Sequence, residues 1–207
     1  MEKTIWRMVK GSVKVFLPFC LFTFLLLSCS EGSDEEGEYD NWQARNEAKT
    51  QEWYNNSSLR KIQTFAIDGT SSKPGDYIYV EVLESGDADN PTPYYTDTCR
   101  VAYRGRLIPS KSYPEGYVFD QSYTGDFSWK TAYIAQGASW KDGFATALMH
   151  MHIGDRWRVH IPYQLMYGSG SDTKYPAYSN MVFDVALFDF WHPGETRPAF
   201  KARSVEE

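Results

Sequence analysis

The chain has 207 residues, with 21 Lys plus Arg against 27 Asp plus Glu, for a formal charge of −6. That length holds one domain, or one domain with an appendage, and is enough to bury a core without disulfides. Three cysteines cannot supply a disulfide framework, and the acidic balance argues against a nucleic-acid partner, which requires a basic footprint.

Residues 1–28 read as a secretory signal peptide. Lys3, Arg7, Lys10 and Lys14 make a positive start, and Val15 to Leu27 is an almost unbroken apolar run. That run is short beside the ~20 helical residues that cross a bilayer. It ends Leu26-Leu27-Ser28-Cys29, which resembles the bacterial lipobox, with Leu27 where a smaller residue is usual. The resemblance implies that Cys29 is lipidated and becomes the new N-terminus. The protein is then expected in a bacterial cell envelope, at the outer membrane, on either its periplasmic or its surface face. Cleavage there removes Cys20 and leaves Cys99 as the free thiol, so no internal disulfide can form. Cys99 opens the alternation Cys99, Val101, Tyr103, Gly105, Leu107 on one strand face, and reads as a core thiol rather than a nucleophile.

Residues 29–75 read as a tether and an N-terminal helix. Ser30 to Asp40, with its Gly, Ser and acidic residues, buries too little apolar surface to order itself. Its acids resemble the surface-export signals of Bacteroidetes lipoproteins and are equally those of a solvated spacer. Asp40 is a candidate N-cap for a helix through about Tyr54. Apolar residues are sparse along it. Three readings stay open: a packing face around Trp42 and Trp53, a loose spacer helix, or a helix that pairs with a second copy of the chain. A polar stretch follows to Ser72, with turns at Asp68-Gly69 and Pro74-Gly75.

Residues 76–191 change to period two, and the 16% aromatic share suits strands. Strands are predicted over Tyr77–Leu83, Thr98–Leu107, Tyr117–Phe119, Thr131–Ala135, Arg156–Ile161 and Asn180–Trp191. Phe144, Ala147, Leu148 and Met151 fall at helical spacing, and Gly154 supplies a stop. The fold class is α+β, an antiparallel sheet of five or six strands wrapped around one short helix. Residues 192–207 are left as a C-terminal tail.

Within that region lie, in order, Val101-x-Tyr103-x-Gly105-x-Leu107, Phe119-Asp120-x-Ser122, Gly143-Phe144, Met151-x-x-Gly154-Asp155, Ile161-Pro162, Tyr167-Gly168 and Val182-Phe183-Asp184-Val185-x-Leu187. Together they resemble the FKBP-type peptidyl-prolyl cis–trans isomerases over roughly residues 76–191. The resemblance implies a twisted sheet curled over the helix, with an aromatic pocket between them. Tyr103, Phe119, Asp120, Phe144, Tyr167 and Phe183 would line it. Phe127 or Trp129 matches a further aromatic wall, Trp140 an apolar position, and Tyr175 an apolar residue of the rim loop. Phe144 replaces the usual tryptophan of the pocket floor. By the same resemblance Tyr167 donates to the substrate carbonyl, Asp120 supplies fixed electrostatics, and the backbone N–H of Lys141 donates a second hydrogen bond. Lys141 replaces the usual isoleucine or valine, and the loop from Pro109 to Gly116 is longer than in small members.

The implied partners are proline-containing polypeptides, and no cofactor is implied. A different class of function would use the same pocket without catalysis, as a peptide-binding or chaperone lipoprotein; retention of Asp120 and Tyr167 favours the enzyme. His150, His152 and His160 do not read as a metal site. The first two sit two apart at a helix end, and no cysteine or acid cluster completes a ligand set.

Overall fold

The computed structural model describes residues 37–131, 133–136 and 140–201; the expected signal peptide, Cys29 and the expected tether as far as residue 36 lie outside them. In chain order the elements are α1 (Trp42–Asn55), β1 (Arg60–Gln63), β2 (Tyr77–Glu84), β3 (Thr98–Leu107), β4 (Val118–Gln121), β5 (Tyr133–Gln136), α2 (Asp142–Leu148), β6 (Arg156–Ile161) and β7 (Met181–Trp191). The strands form one antiparallel sheet in the order β1-β2-β6-β7-β3-β4, and β5 also pairs with β3.

Register assigns the side chains to two faces. Val101 pairs with Leu187, Tyr103 with Val185, Gly105 with Phe183 and Leu107 with Met181, so these eight share the inner face. Trp157 and Val159 join it from β6. The two-turn helix α2 packs there, with Phe144, Ala147 and Leu148 buried. Its first turn comes so close that a Cβ at Gly143 would lie 2.2 Å from Ile161 Cγ2. Residue 143 therefore has to be glycine for α2 to sit where it does.

The opposite face is covered by α1. Trp53 packs on Tyr79 and His160, with ring centroids 6.1 and 5.0 Å apart. One stripe of α1, Trp42, Asn46, Thr50 and Trp53, is buried. Its two polar members are tied to Asn180. The Asn180 backbone N–H donates to Asn46 Oδ1 at 2.8 Å, and its side-chain amide donates to Asn46 O at 2.7 Å and Thr50 Oγ1 at 3.0 Å. The stripe is used up within the chain, so of the readings left open for α1 the packing face around Trp42 and Trp53 is the one the fold uses. The C-terminal stretch folds back as well: Arg100, 3% exposed, donates to Pro198 O at 2.7 Å and packs over Phe200.

Three features differ from the sequence expectation. Asp40 does not cap α1; its carboxylate accepts from the Gly37 N–H at 2.7 Å, and the cap position is Asn41, at φ 53°. The polar stretch after α1 contains a strand, β1, paired with β2 through Arg60 to Gln63. Only Ile62 of its four residues is buried, so it carries no alternation to read. Finally, a boundary at residue 76 cuts through the sheet and core, because α1 and β1 belong to the compact unit that begins at Gly37.

Candidate active site

Pairing of β3 with β7 sets Gly105 opposite Phe183, and the missing side chain leaves room for rings. A Cβ at Gly105 would lie 2.6 Å from Phe183 and 2.8 Å from Phe119. Phe119, Phe144 and Phe183 are all buried and meet edge to face, with centroids 5.5 Å (Phe119–Phe183) and 4.8 Å (Phe144–Phe183) apart. Trp140 closes on Phe144 at 4.7 Å, and Tyr103 stands 6.1 Å from Phe144 and 6.2 Å from Phe183.

The polar edge sits above this floor. The Tyr103 hydroxyl donates to Asp120 Oδ2 at 3.0 Å, and the Gln121 N–H donates to Asp120 Oδ1 at 3.0 Å. Ser122 explains the spacing after Asp120: its Oγ accepts from the Tyr103 N–H at 2.9 Å, and its own N–H donates to Tyr103 O at 2.9 Å. Tyr167, 39% exposed, stacks on Tyr175 with centroids 4.8 Å apart, and Lys141 Nζ lies 5.0 Å from the centre of the Tyr167 ring. Burial first, with Tyr167 and Asp172 nearby, raises the Tyr175 phenol above its ordinary pKa, so it stays protonated at neutral pH. Tyr175 also packs edge-on against Phe119 at 5.9 Å. Lys141 is the extended residue at the start of α2, and its carbonyl accepts from the Ala145 N–H at 3.0 Å.

Nine of the eleven expected site residues are thus brought together. Phe127 and Trp129 are not among them. They lie on the outer face, where Trp129 packs on Phe188 at 4.8 Å and donates through Nε1 to Glu84 Oε2 at 2.9 Å. Arg156 caps the Phe127 ring at 4.3 Å and pairs with Glu84 at 3.0 Å. A cation and a carboxylate on that face hold both rings away from the pocket.

Sequence reasoning missed the residues that steady the rim. Trp42 Nε1 donates to Ser179 Oγ at 2.8 Å, and Ser179 Oγ donates to Pro176 O at 2.7 Å, tying α1 to the loop that carries Tyr175. The Tyr163 N–H donates to Asn180 Oδ1 at 2.9 Å, fixing the turn that leads to Tyr167. The available signal was the period-four recurrence of Trp42, Asn46 and Thr50. Cys99 is buried, and burial pushes its thiol up to about 12, so it is no nucleophile. The histidines diverge: His150 meets Thr146 O, His152 meets Asn90 O, and His160 packs on Trp53.

Such a site can grip a small apolar ring and hold a carbonyl among fixed dipoles, without covalent chemistry. This defines a class of domain: a sheet curled on a short helix around an aromatic pocket with a hydrogen-bonding rim. Residues 90–188 match the sequence model of the FKBP-type peptidyl-prolyl cis–trans isomerases. That stretch, which holds the pocket, is of the FKBP isomerase type in sequence and in fold.

The macrophage infectivity potentiator of Trypanosoma cruzi is 29% identical over 192 residues, covering 88% of this chain and 87% of that protein. The FKBP-type isomerase FkpA of Escherichia coli K12 is 31% identical over 166 residues, 79% of this chain and 51% of FkpA. The chain spans only 20% of the length of FKBP10 of Mus musculus. The crystal structure of E. coli FkpA superposes with a TM-score of 0.53 at 27% identity, covering 73% of this chain and 62% of that one. A peptidyl-prolyl isomerase structure from Pseudomonas syringae pv. tomato shares the fold at a TM-score of 0.55 and 20% identity, over 75% of this chain and 97% of that one.

Proposed function

We propose that this protein isomerises X-Pro bonds in exported polypeptides from a lipid anchor at Cys29 in a bacterial cell envelope, at the outer membrane. The observation that carries the catalytic part is the Tyr103–Asp120 hydrogen bond at 3.0 Å beside the Phe119, Phe144 and Phe183 floor. A carboxylate fixed beside an apolar pocket can favour the altered charge distribution of a twisting amide. The barrier of ~18–20 kcal/mol comes from resonance lost at the perpendicular geometry, and uncatalysed X-Pro isomerisation takes tens of seconds or more. In this reading the floor and Trp140 hold the proline ring and disfavour the charge-separated planar amide. Tyr167 and the Lys141 backbone N–H donate to the twisted carbonyl, and Asp120 supplies a preorganised field. The signal-like run at residues 15–27 and Ser28-Cys29 supports the location.

The test is a proline-peptide isomerisation assay on wild type, Tyr167→Phe and Asp120→Asn. Deleting the Tyr167 hydroxyl removes one hydrogen bond of ~0.5–1.5 kcal/mol, so kcat/KM is expected to fall about two- to tenfold. Melting temperatures of both variants should stay near wild type. Retained peptide binding by a wild type with no turnover would assign the pocket to holding peptides instead.

A further inference from the structure

Beside the proline pocket lies a second, open cleft of about 370 Å³ walled by Tyr39, Tyr113, Tyr117 and Tyr175, with Asp172 and Lys174 at its lip. Its walls come from three separate segments: the approach to α1, the stretch between β3 and β4, and the rim loop before β7. Tyr39 and Tyr113 are 37% and 41% exposed, and with Tyr117 and Tyr175 they form a contiguous cluster of rings rather than scattered ones, the kind of surface that marks a contact site.

The cleft is preformed. The Glu38 carboxylate accepts from the Ser112 N–H at 3.1 Å, and Arg45 reaches both Glu38 O at 3.2 Å and Pro109 O at 3.1 Å. The loop from 109 to 116 is thereby fastened to the N-terminal segment instead of lying across the pocket. Within it, Ser110 and Tyr113 exchange backbone hydrogen bonds at 3.0 and 3.2 Å. Gly116, at φ +83°, turns the chain back; a Cβ there would lie 2.1 Å from Leu107 O. Tyr113 and Tyr117 then meet edge to face at 5.0 Å. Across the cleft, Asp172 and Tyr175 bond to each other through their backbones, and Ser179 holds Pro176 O.

One ring joins the cleft to the pocket. Tyr175 is a wall of the cleft, stacks on Tyr167 and packs against Phe119. An extended polypeptide advances ~3.3–3.6 Å per residue, so a chain seated at the pocket passes Tyr175 within about two to four residues. Rigid tyrosines offer large contact area at low entropic cost and favour aromatic partners edge-on, with hydroxyls left for the passing backbone.

We propose that this cleft is a second substrate subsite, taking an aromatic side chain two to four residues from the proline. It rests on the isomerase reading of the adjoining pocket, and it makes the protein select proline sites that have an aromatic residue nearby.

The test uses the full chain and three kinds of peptide: a blocked tetrapeptide with one X-Pro bond and otherwise alanine, a nonapeptide series with Trp two to four residues to either side of the proline, and the all-Ala nonapeptide. The expected result is a kcat/KM about three- to tenfold higher for one Trp register than for the Ala peptide. Tyr39→Ser/Tyr113→Ser should erase that difference and leave the tetrapeptide rate unchanged, whereas Tyr113→Phe should keep it. Tyr113→Ser alone, a change at an exposed ring, carries the test if the double variant melts early. No gain in any register, or a gain that survives the serine variants, overturns the proposal. If wild type turns over none of the peptides, the isomerase reading fails by itself. The same comparison is then made with dissociation constants: a Trp gain lost in the serine variants upholds the cleft, and its absence overturns it.

Discussion

Gly105 decides the shape of the pocket, since Phe119 and Phe183 occupy the space a side chain would take. Gly105→Ala should push both rings off their seats, costing ~1–3 kcal/mol by overpacking. Isomerase activity should fall further than the stability loss alone explains, as read from a urea melt beside the peptide assay. Other residues of the same sequence motifs do structural work. Asp184 accepts from Arg158 Nε at 2.7 Å and Nη2 at 3.1 Å, and Asp155 accepts from the Gly86 and His152 N–H groups, each at 2.7 Å. His160 sets an acid limit. Burial, then Arg158 and Lys49, against Asp184 and Glu52, hold its pKa at about 4 rather than 6.5. The unfolded chain takes up that proton near pH 6.5 and the folded chain only near 4, so stability is complete above 6.5 and is lost as pH falls from 6.5 to 4. The loss is on the order of 3 kcal/mol. His192 titrates in a separate window. Its hydrogen bond to Asp97 raises its pKa, so its contribution is present below 6.5 and disappears as pH rises through the raised value. Urea midpoints at pH 7.5 and 5 should therefore drop in wild type and drop much less in His160→Phe.

At the scale of elements, α1 is held by polar groups that face inward. Asn180→Ala would take the acceptor from the Tyr163 N–H and cut the side-chain ties to Asn46 O and Thr50 Oγ1, which keep their bond to each other. At ~1–3 kcal/mol for the group left unsatisfied and ~0.5–1.5 kcal/mol for each lost bond, the variant should lose about 2–5 kcal/mol, seen as a lower urea midpoint with an unchanged far-ultraviolet spectrum in buffer. The same feature limits what the sequence reveals. Strands β3 and β6 are legible to the residue because their inward positions are apolar and alternate. The stripe Trp42, Asn46, Thr50, Trp53 has a helical period, yet half of it is polar, and its partner Asn180 is 134 residues from Asn46. Only the fold brings the two together. The pocket was legible where strand register fixes it, at Tyr103, Phe119 and Phe183, and where Phe144 rides on α2. It was misread at Phe127 and Trp129, where a loop let two rings choose the outer face and its Arg156–Glu84 pair.

For the whole molecule the question is which part folds as a unit and what it hangs from. If Cys29 carries the lipid, Cys29→Ala in a native-like host should stay unprocessed and should not take up acyl label; a normally cleaved, unlabelled and soluble variant would remove the anchor. Removing everything before Ser72 takes away α1 and β1, leaving the edge of β2 unpaired and uncovering Tyr79, which is 0% exposed in the intact chain. It also leaves Asn180 without its partners on α1 and frees the 109–116 loop from Glu38 and Arg45. An open strand edge next to bare aromatic surface favours association with other chains over folding. A chain beginning at Ser72 should therefore aggregate or unfold without cooperativity, while one beginning at Ser30 should melt in a single transition and keep full tetrapeptide turnover. A Ser72 chain that melts cooperatively with undiminished activity would show that the sheet and α2 suffice, and that α1 serves the cleft alone.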